Sequence, residues 1–175
     1  MNGQNHIIAK TPLEFLPIKD FEKRQKSIDF KATTNIDFLS SMLGIASSII
    51  AKKETAKQIK EEGNAAFRER KFEEAEKCYS EALKLNVGSV VLWTNRAICR
   101  NAMKKYDQAF SDCESALSIN SKNSKSVVQK GKALMGMGRF DEAGICFKLL
   151  DQIGESKLAD IYIKELRNTQ EMVPY

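Results

Sequence analysis

Shifted by 34 residues against itself, the chain keeps one pattern of small, aromatic and aliphatic positions through three successive units. Gly63, Ala97 and Gly131 share one position, Phe72, Tyr106 and Phe140 the next, and Ala75, Ala109 and Ala143 a third. Tyr79, Cys113 and Phe147 follow, then Ala82, Ala116 and Leu150, and Leu85, Ile119 and Ile153 close the units. The units run 56–89, 90–123 and 124–157 without an insertion. A fixed period in this range marks stacked structural repeats, each too small to bury its own apolar face. Each unit reads as two antiparallel helices. Small residues at the Gly63 and Ala75 positions let the helices approach, and the aromatic at the Phe72 position fills space beside the turn. Gly63 inside a helix costs about 1 kcal/mol relative to Ala, which close packing explains. The polar stretches "RERKF", "MKKYD" and "MGRFD" are predicted turns, the last supported by Gly138. The prolines are Pro12, Pro17 and Pro174, so nothing from Ile18 to Val173 forbids helix on that ground.

The pattern also predicts helices on both flanks. In "SKLADIYIKELRNTQEM", residues 156–172, Ser156 is the expected N-cap, and Leu158, Ile161, Tyr162 and Leu166 form a face able to cover the last repeat. Upstream, residues 35–55 are expected to form an amphipathic helix starting at Asn35 or Asp37. Its stretch "FLSSMLGIASSIIA" repeats Phe38, Met42, Ile45 and Ile49 at helical spacing, and its 14 residues fall short of the roughly 20 that span a bilayer. Packing of this face on the protein's own domain is the favoured expectation; docking on a membrane surface, a partner or another copy is the alternative. Residues 1–34 carry turn residues and two prolines, and are expected to be a mostly disordered tail, with docking of "FEKRQKSIDF" left open. With caps at both ends, the chain is expected to be a monomer.

Composition narrows the chemistry. A hydrophobic fraction of 42% and a charged fraction of 29% suit a globular domain, and the net charge of +5 is spread along the chain, which disfavours nucleic acid as a partner. The lone histidine, His6, lies in the tail, so histidine-based acid–base or nucleophilic catalysis is not expected. No phosphate-cradling glycine loop or metal-ligand spacing stands out, so neither enzyme activity nor a cofactor is expected. Cys78, Cys99, Cys113 and Cys146 form no C-x-x-C pair and fall at helix-packing positions. With no signal peptide apparent, reduced thiols in the cytoplasm are expected, and no stable membrane insertion.

The units "GNAAF…KFEEAEKCYSEAL", "NRAIC…KYDQAFSDCESAL" and "KGKAL…RFDEAGICFKLL" resemble the tetratricopeptide repeat. The resemblance covers about 100 of the 175 residues and implies an all-α, right-handed superhelix of three helix pairs, with a C-terminal capping helix and an additional N-terminal helix. Two positions depart from the family pattern: Glu62, Arg96 and Lys130 replace the usual Leu, and Val87, Ser121 and Glu155 the usual Pro. In that family the first helix of each unit lines an inner groove. Lys60 and Asn64 in "KEEGN", Asn95 in "TNR" and Lys125 in "SKSVVQK" resemble the carboxylate clamp of co-chaperones that grip the acidic C-terminal peptide of Hsp70 or Hsp90. Gln129 stands where that pattern has Arg, and Lys132 is a candidate to compensate. The implied ligand is such a peptide or another acidic protein segment. A narrower resemblance, to cytoplasmic factors that assist axonemal dynein-arm assembly, implies instead a scaffold whose groove takes a non-chaperone segment.

Overall fold

A computed structural model describes the backbone of residues 18–171 and the side chains of residues 35–171. The described residues form seven helices: α1 Ile18–Arg68, α2 Phe72–Leu85, α3 Val90–Ala102, α4 Tyr106–Ile119, α5 Ser124–Gly136, α6 Phe140–Gln152 and α7 Ser156–Glu171. Two compact units divide the chain, Met1–Ser48 and Ile49–Tyr175.

In the second unit, consecutive helices from α2 to α7 pack against each other, and α3 also meets α5. This is the all-α stack of helix pairs expected from the 34-residue period, ending in a capping helix. Size is matched between the paired helices. A Cβ added at Gly63 would lie 2.9 Å from the Tyr79 ring, and one at Gly131 would run into the Phe147 ring. Ala97 in the middle repeat shares a buried cluster with the smaller Cys113. Ala75, Ala109 and Ala143 are fully buried, as helix backbones in close approach require.

The turns inside the repeats are built alike. Arg70, Lys104 and Gly138 have φ of 61°, 60° and 75°. The next residues, Lys71, Lys105 and Arg139, donate their backbone N–H to the carbonyls of Ala66, Arg100 and Leu134 at 3.0, 2.8 and 2.9 Å. These are Schellman closures, which satisfy the last carbonyls of a helix through one left-handed residue. Gly154, with φ 87°, repeats the device between α6 and α7, where Glu155 N–H donates to Leu150. The carbonyl of Glu155 then accepts from Leu158 and Ala159. Ser156 is therefore the first helical residue of α7 and not its N-cap, a correction to the sequence expectation. The opposite holds at α5, where the Asn123 side chain accepts from Ser126 N–H at 2.8 Å and caps the helix.

Position 96, which departs from the repeat pattern, is explained by a charge network. Arg96 holds Asp112 through Nε and Nη2 at 3.0 and 2.8 Å. Arg100 reaches both Asp112 and Glu76, and Lys105 also meets Glu76. Asp112 is 2% exposed, so its charge is supported only because two guanidinium groups face it. Lys130, the corresponding residue of the third repeat, pairs with Glu114 and lies over the Phe110 ring.

The N-terminal expectation is corrected. A single 51-residue helix, α1, begins at Ile18 and runs without interruption through residues 35–55 to Arg68. The tail boundary at 34 and a helix start at Asn35 or Asp37 gave turn residues too much weight. No proline occurs in the sequence from Ile18 to Arg68, so none interrupts the helix. The favoured burial of Phe38, Met42, Ile45 and Ile49 is also corrected, since all four are exposed. Residues 1–17 of the expected tail, and Met172 of the expected cap, lie outside the described residues.

Candidate functional site

The C-terminal part of α1 carries Lys60 and Asn64 one turn apart, and α3 carries Asn95. Their side chains join. Asn95 Nδ2 donates to Asn64 Oδ1 at 3.2 Å, and the Tyr79 hydroxyl of α2 donates to the same oxygen at 2.7 Å. Asn64 Nδ2 donates to Glu61 Oε2 at 3.0 Å, while Lys60 Nζ lies 2.8 Å from the other oxygen of that carboxylate. Gly63 permits this arrangement by leaving room for the Tyr79 ring. Burial pushes the Tyr79 phenol up to about 12, so it remains a hydrogen-bond donor across the physiological range. Hydrogen bonds from Lys60 and then Asn64 hold the Glu61 carboxyl below its ordinary value, so it is an anion already sitting on the donors of this site.

Two hollows flank these groups. One, of about 90 Å3, is lined by Asn64, Phe67, Tyr79, Asn95 and Ile98, an apolar wall with amide and phenol groups at its rim. The other, of about 160 Å3, brings Lys53, Lys57 and Lys60 toward Asn86 and Ser89. Lys57 pairs with Glu54 at 3.6 Å and Lys60 with Glu61 at 2.8 Å, so a carboxylate entering this second hollow would compete with those two for the ammonium groups.

The remaining predicted residues lie on α5. Thr94 and Ser126 share a buried 2.7 Å hydrogen bond that ties the start of α3 to the start of α5; Lys125, next to Ser126, is exposed. Gln129 Oε1 accepts from Asn101 Nδ2 at 3.1 Å, which leaves the Gln129 NH2 as its donor end. Lys132 Nζ sits 5.0 Å from the centre of the Tyr162 ring on α7. Among the described residues, no hydrogen bond or ion pair links Lys125, Gln129 or Lys132 to Lys60, Asn64 and Asn95.

Sequence reasoning places Asn101 on the inner face and Glu61 near its edge, and missed Tyr79, Lys53, Asn86 and Ser89 as parts of this surface. Only Lys53 had a readable signal, through its spacing to Lys57 and Lys60 on a helix. Tyr79 is read from the repeat as a large packing residue, and its hydroxyl becomes relevant only once α1 and α2 face each other. The four cysteines are free thiols. Burial pushes Cys99 and Cys113 up to about 12, as expected for packing residues and not nucleophiles.

The sequence profile of the tetratricopeptide repeat matches residues 56–87. An Hsp70/Hsp90 co-chaperone, cns1 of Schizosaccharomyces pombe, is 32% identical over 100 residues, covering 55% of this chain and 28% of that protein. The chain therefore spans about a quarter of that relative's length. Among solved structures, the TPR domain of Arabidopsis OM64 superposes with a TM-score of 0.63 at 31% identity, over 67% of this chain and 98% of that domain. The first TPR of Spaghetti (RPAP3), bound to the HSP90 peptide SRMEEVD, gives 0.62 at 28% identity, over 68% and 93%. The 34-residue period, the matched small and large residues across each helix pair, and a domain-length likeness at this identity agree: the chain belongs to the tetratricopeptide repeat family.

Proposed function

We propose that the repeats form a peptide-binding adaptor of the co-chaperone kind, which grips the acidic C-terminal tail of Hsp70 or Hsp90. The observation that carries this reading is the joined set of Lys60, Asn64, Asn95 and Tyr79 beside a small half-apolar hollow. Lys60 supplies a point charge and the amides supply directional donors, so an incoming carboxylate would displace Glu61 from donors already in position. Lys125 and the free NH2 of Gln129 would meet acidic groups further along the peptide, with Lys132 as an additional charge. Two similar proteins support the ligand class: cns1 is named an Hsp70/Hsp90 co-chaperone, and the Spaghetti domain holds a peptide ending in Glu-Glu-Val-Asp. The action is capture, with no bond made or broken. The proposed setting is the cytoplasm, where free thiols persist.

Fluorescence titration with acidic chaperone-tail peptides tests the reading. The intact chain should bind, more weakly as salt rises, and Lys60→Ala should reduce affinity about tenfold to a hundredfold, the value of a charge-assisted hydrogen bond. Gln129→Arg should tighten binding. Absence of binding at high peptide concentration, or indifference to Lys60→Ala, would overturn the reading and favour a scaffold that takes a non-chaperone segment.

A further inference from the structure

The first unit contains a helical face that the peptide-binding reading leaves unused. Within α1, Ile36, Phe38, Leu39, Met42, Leu43 and Ile45 are between 49% and 70% exposed. At roughly 100° per residue, these six fall within one half of the helix circumference. The opposite half holds Ser40, Ser41, Gly44, Ser47 and Ser48, all exposed, and a Cβ at Gly44 would meet nothing within 4 Å. No charged residue occurs from Phe38 to Ala51, a run of 14 residues.

Three occupants could cover such a face, and the residues discriminate among them. A second copy joined by a coiled coil needs an apolar seam sustained over roughly three to four heptads, with flanking charges to fix register. The uncharged run holds two heptads, the charges nearest it, Asp37, Lys52 and Lys53, sit at its ends and not along a seam, and its apolar half is wider than a single seam. A transmembrane span is excluded by length: 14 residues rise about 21 Å against a hydrocarbon core of about 30 Å, and no described helix is long and apolar enough to cross. An interfacial helix fits both the width and the length, because it lies in the membrane plane with one apolar half inserted. Besides the single carboxylate of Asp37, the polar half carries hydroxyls and a glycine and no lysine, so it offers no attraction to anionic headgroups. Binding must then come from the inserted aliphatic and aromatic side chains alone, which favours bilayers whose headgroups are spread apart.

We infer that the Ile36–Ser48 segment of α1 is a membrane-surface helix that adsorbs to loosely packed, highly curved lipid surfaces without requiring anionic lipid. This is independent of the peptide groove.

Vesicle flotation of the full chain tests it, using uncharged dioleoyl phosphatidylcholine vesicles prepared small and large. The intact chain should float with the small vesicles, much less with the large ones, and equally at low and high salt. Leu43→Asp places a charge at the most exposed residue of the face, 70%, where folding does not depend on it. It should lower the bound fraction about tenfold or more, the value of one lost aliphatic insertion, while Leu43→Phe should retain it. Helicity by circular dichroism should be the same for all three. Failure to float with small vesicles, or equal flotation of Leu43→Asp, would overturn the inference. So would lipid-free self-association abolished by Leu43→Asp, which would give the face to a second copy.

Discussion

Glu61 shows how one side chain sets the state of the whole proposed site. Its carboxylate takes a hydrogen bond from Asn64 and pairs with Lys60, the donors an acidic peptide would need. Removing that charge while keeping its shape should therefore help the ligand: Glu61→Gln is expected to tighten acidic-peptide binding several-fold in a fluorescence titration. Gly131 illustrates the packing counterpart. Gly131→Ala forces a methyl into the Phe147 ring and should destabilise the domain by about 1–3 kcal/mol, measured by urea denaturation. Much of this was legible in the sequence, because Gly63 and Gly131 recur opposite a large aromatic while Ala97 recurs opposite a cysteine. The Tyr79 hydroxyl was not, since period reports side-chain size and says nothing about which hydroxyl meets which amide. Arg96 looked like a departure from its family pattern; Asp112, its buried partner 16 residues later, accounts for it.

At the level of helices and turns, the period carried the turn inside each helix pair, because the closure at Arg70, Lys104 and Gly138 repeats, whereas the joins between pairs differ, with a side-chain cap at Asn123 and a left-handed Gly154. The positive-φ turns were only half visible: Gly138 announces one, whereas Arg70 and Lys104 adopt the same conformation without the residue suited to it. A left-handed conformation costs a side chain about 1–2 kcal/mol, partly offset by the greater freedom glycine has when unfolded. Arg70→Gly and Lys104→Gly should each stabilise the fold by about 0.5–1 kcal/mol, seen as a higher midpoint in chemical denaturation. The start of α1 escaped the sequence reading for another reason. Turn-prone residues are weak signals, and a helix this long continues through them when no proline intervenes.

For the molecule as a whole, the stacking order followed directly from the period, while convergence of Lys60, Asn64 and Asn95 depended on how the helices are rotated against one another. Cross-helix charges add a dependence on acidity. Burial pushes the Glu76 carboxyl up, but hydrogen bonds from Lys105 and Arg100 outweigh it and leave its folded value below the ordinary 4.5. The stability Glu76 contributes is thus complete above the unfolded value and is lost as pH falls through the folded one. Thermal melts from pH 6 downward should show the midpoint dropping below about pH 4.5, and Glu76→Gln should flatten that drop. The pairing of Gly63 with Tyr79, Ala97 with Cys113 and Gly131 with Phe147 has a consequence for how such a chain can change over time. Bulk is balanced inside each unit, so an entire unit could be duplicated or exchanged with its internal fit intact, whereas a lone change at either member would leave a clash or a void. Drift at these sites should proceed in couples.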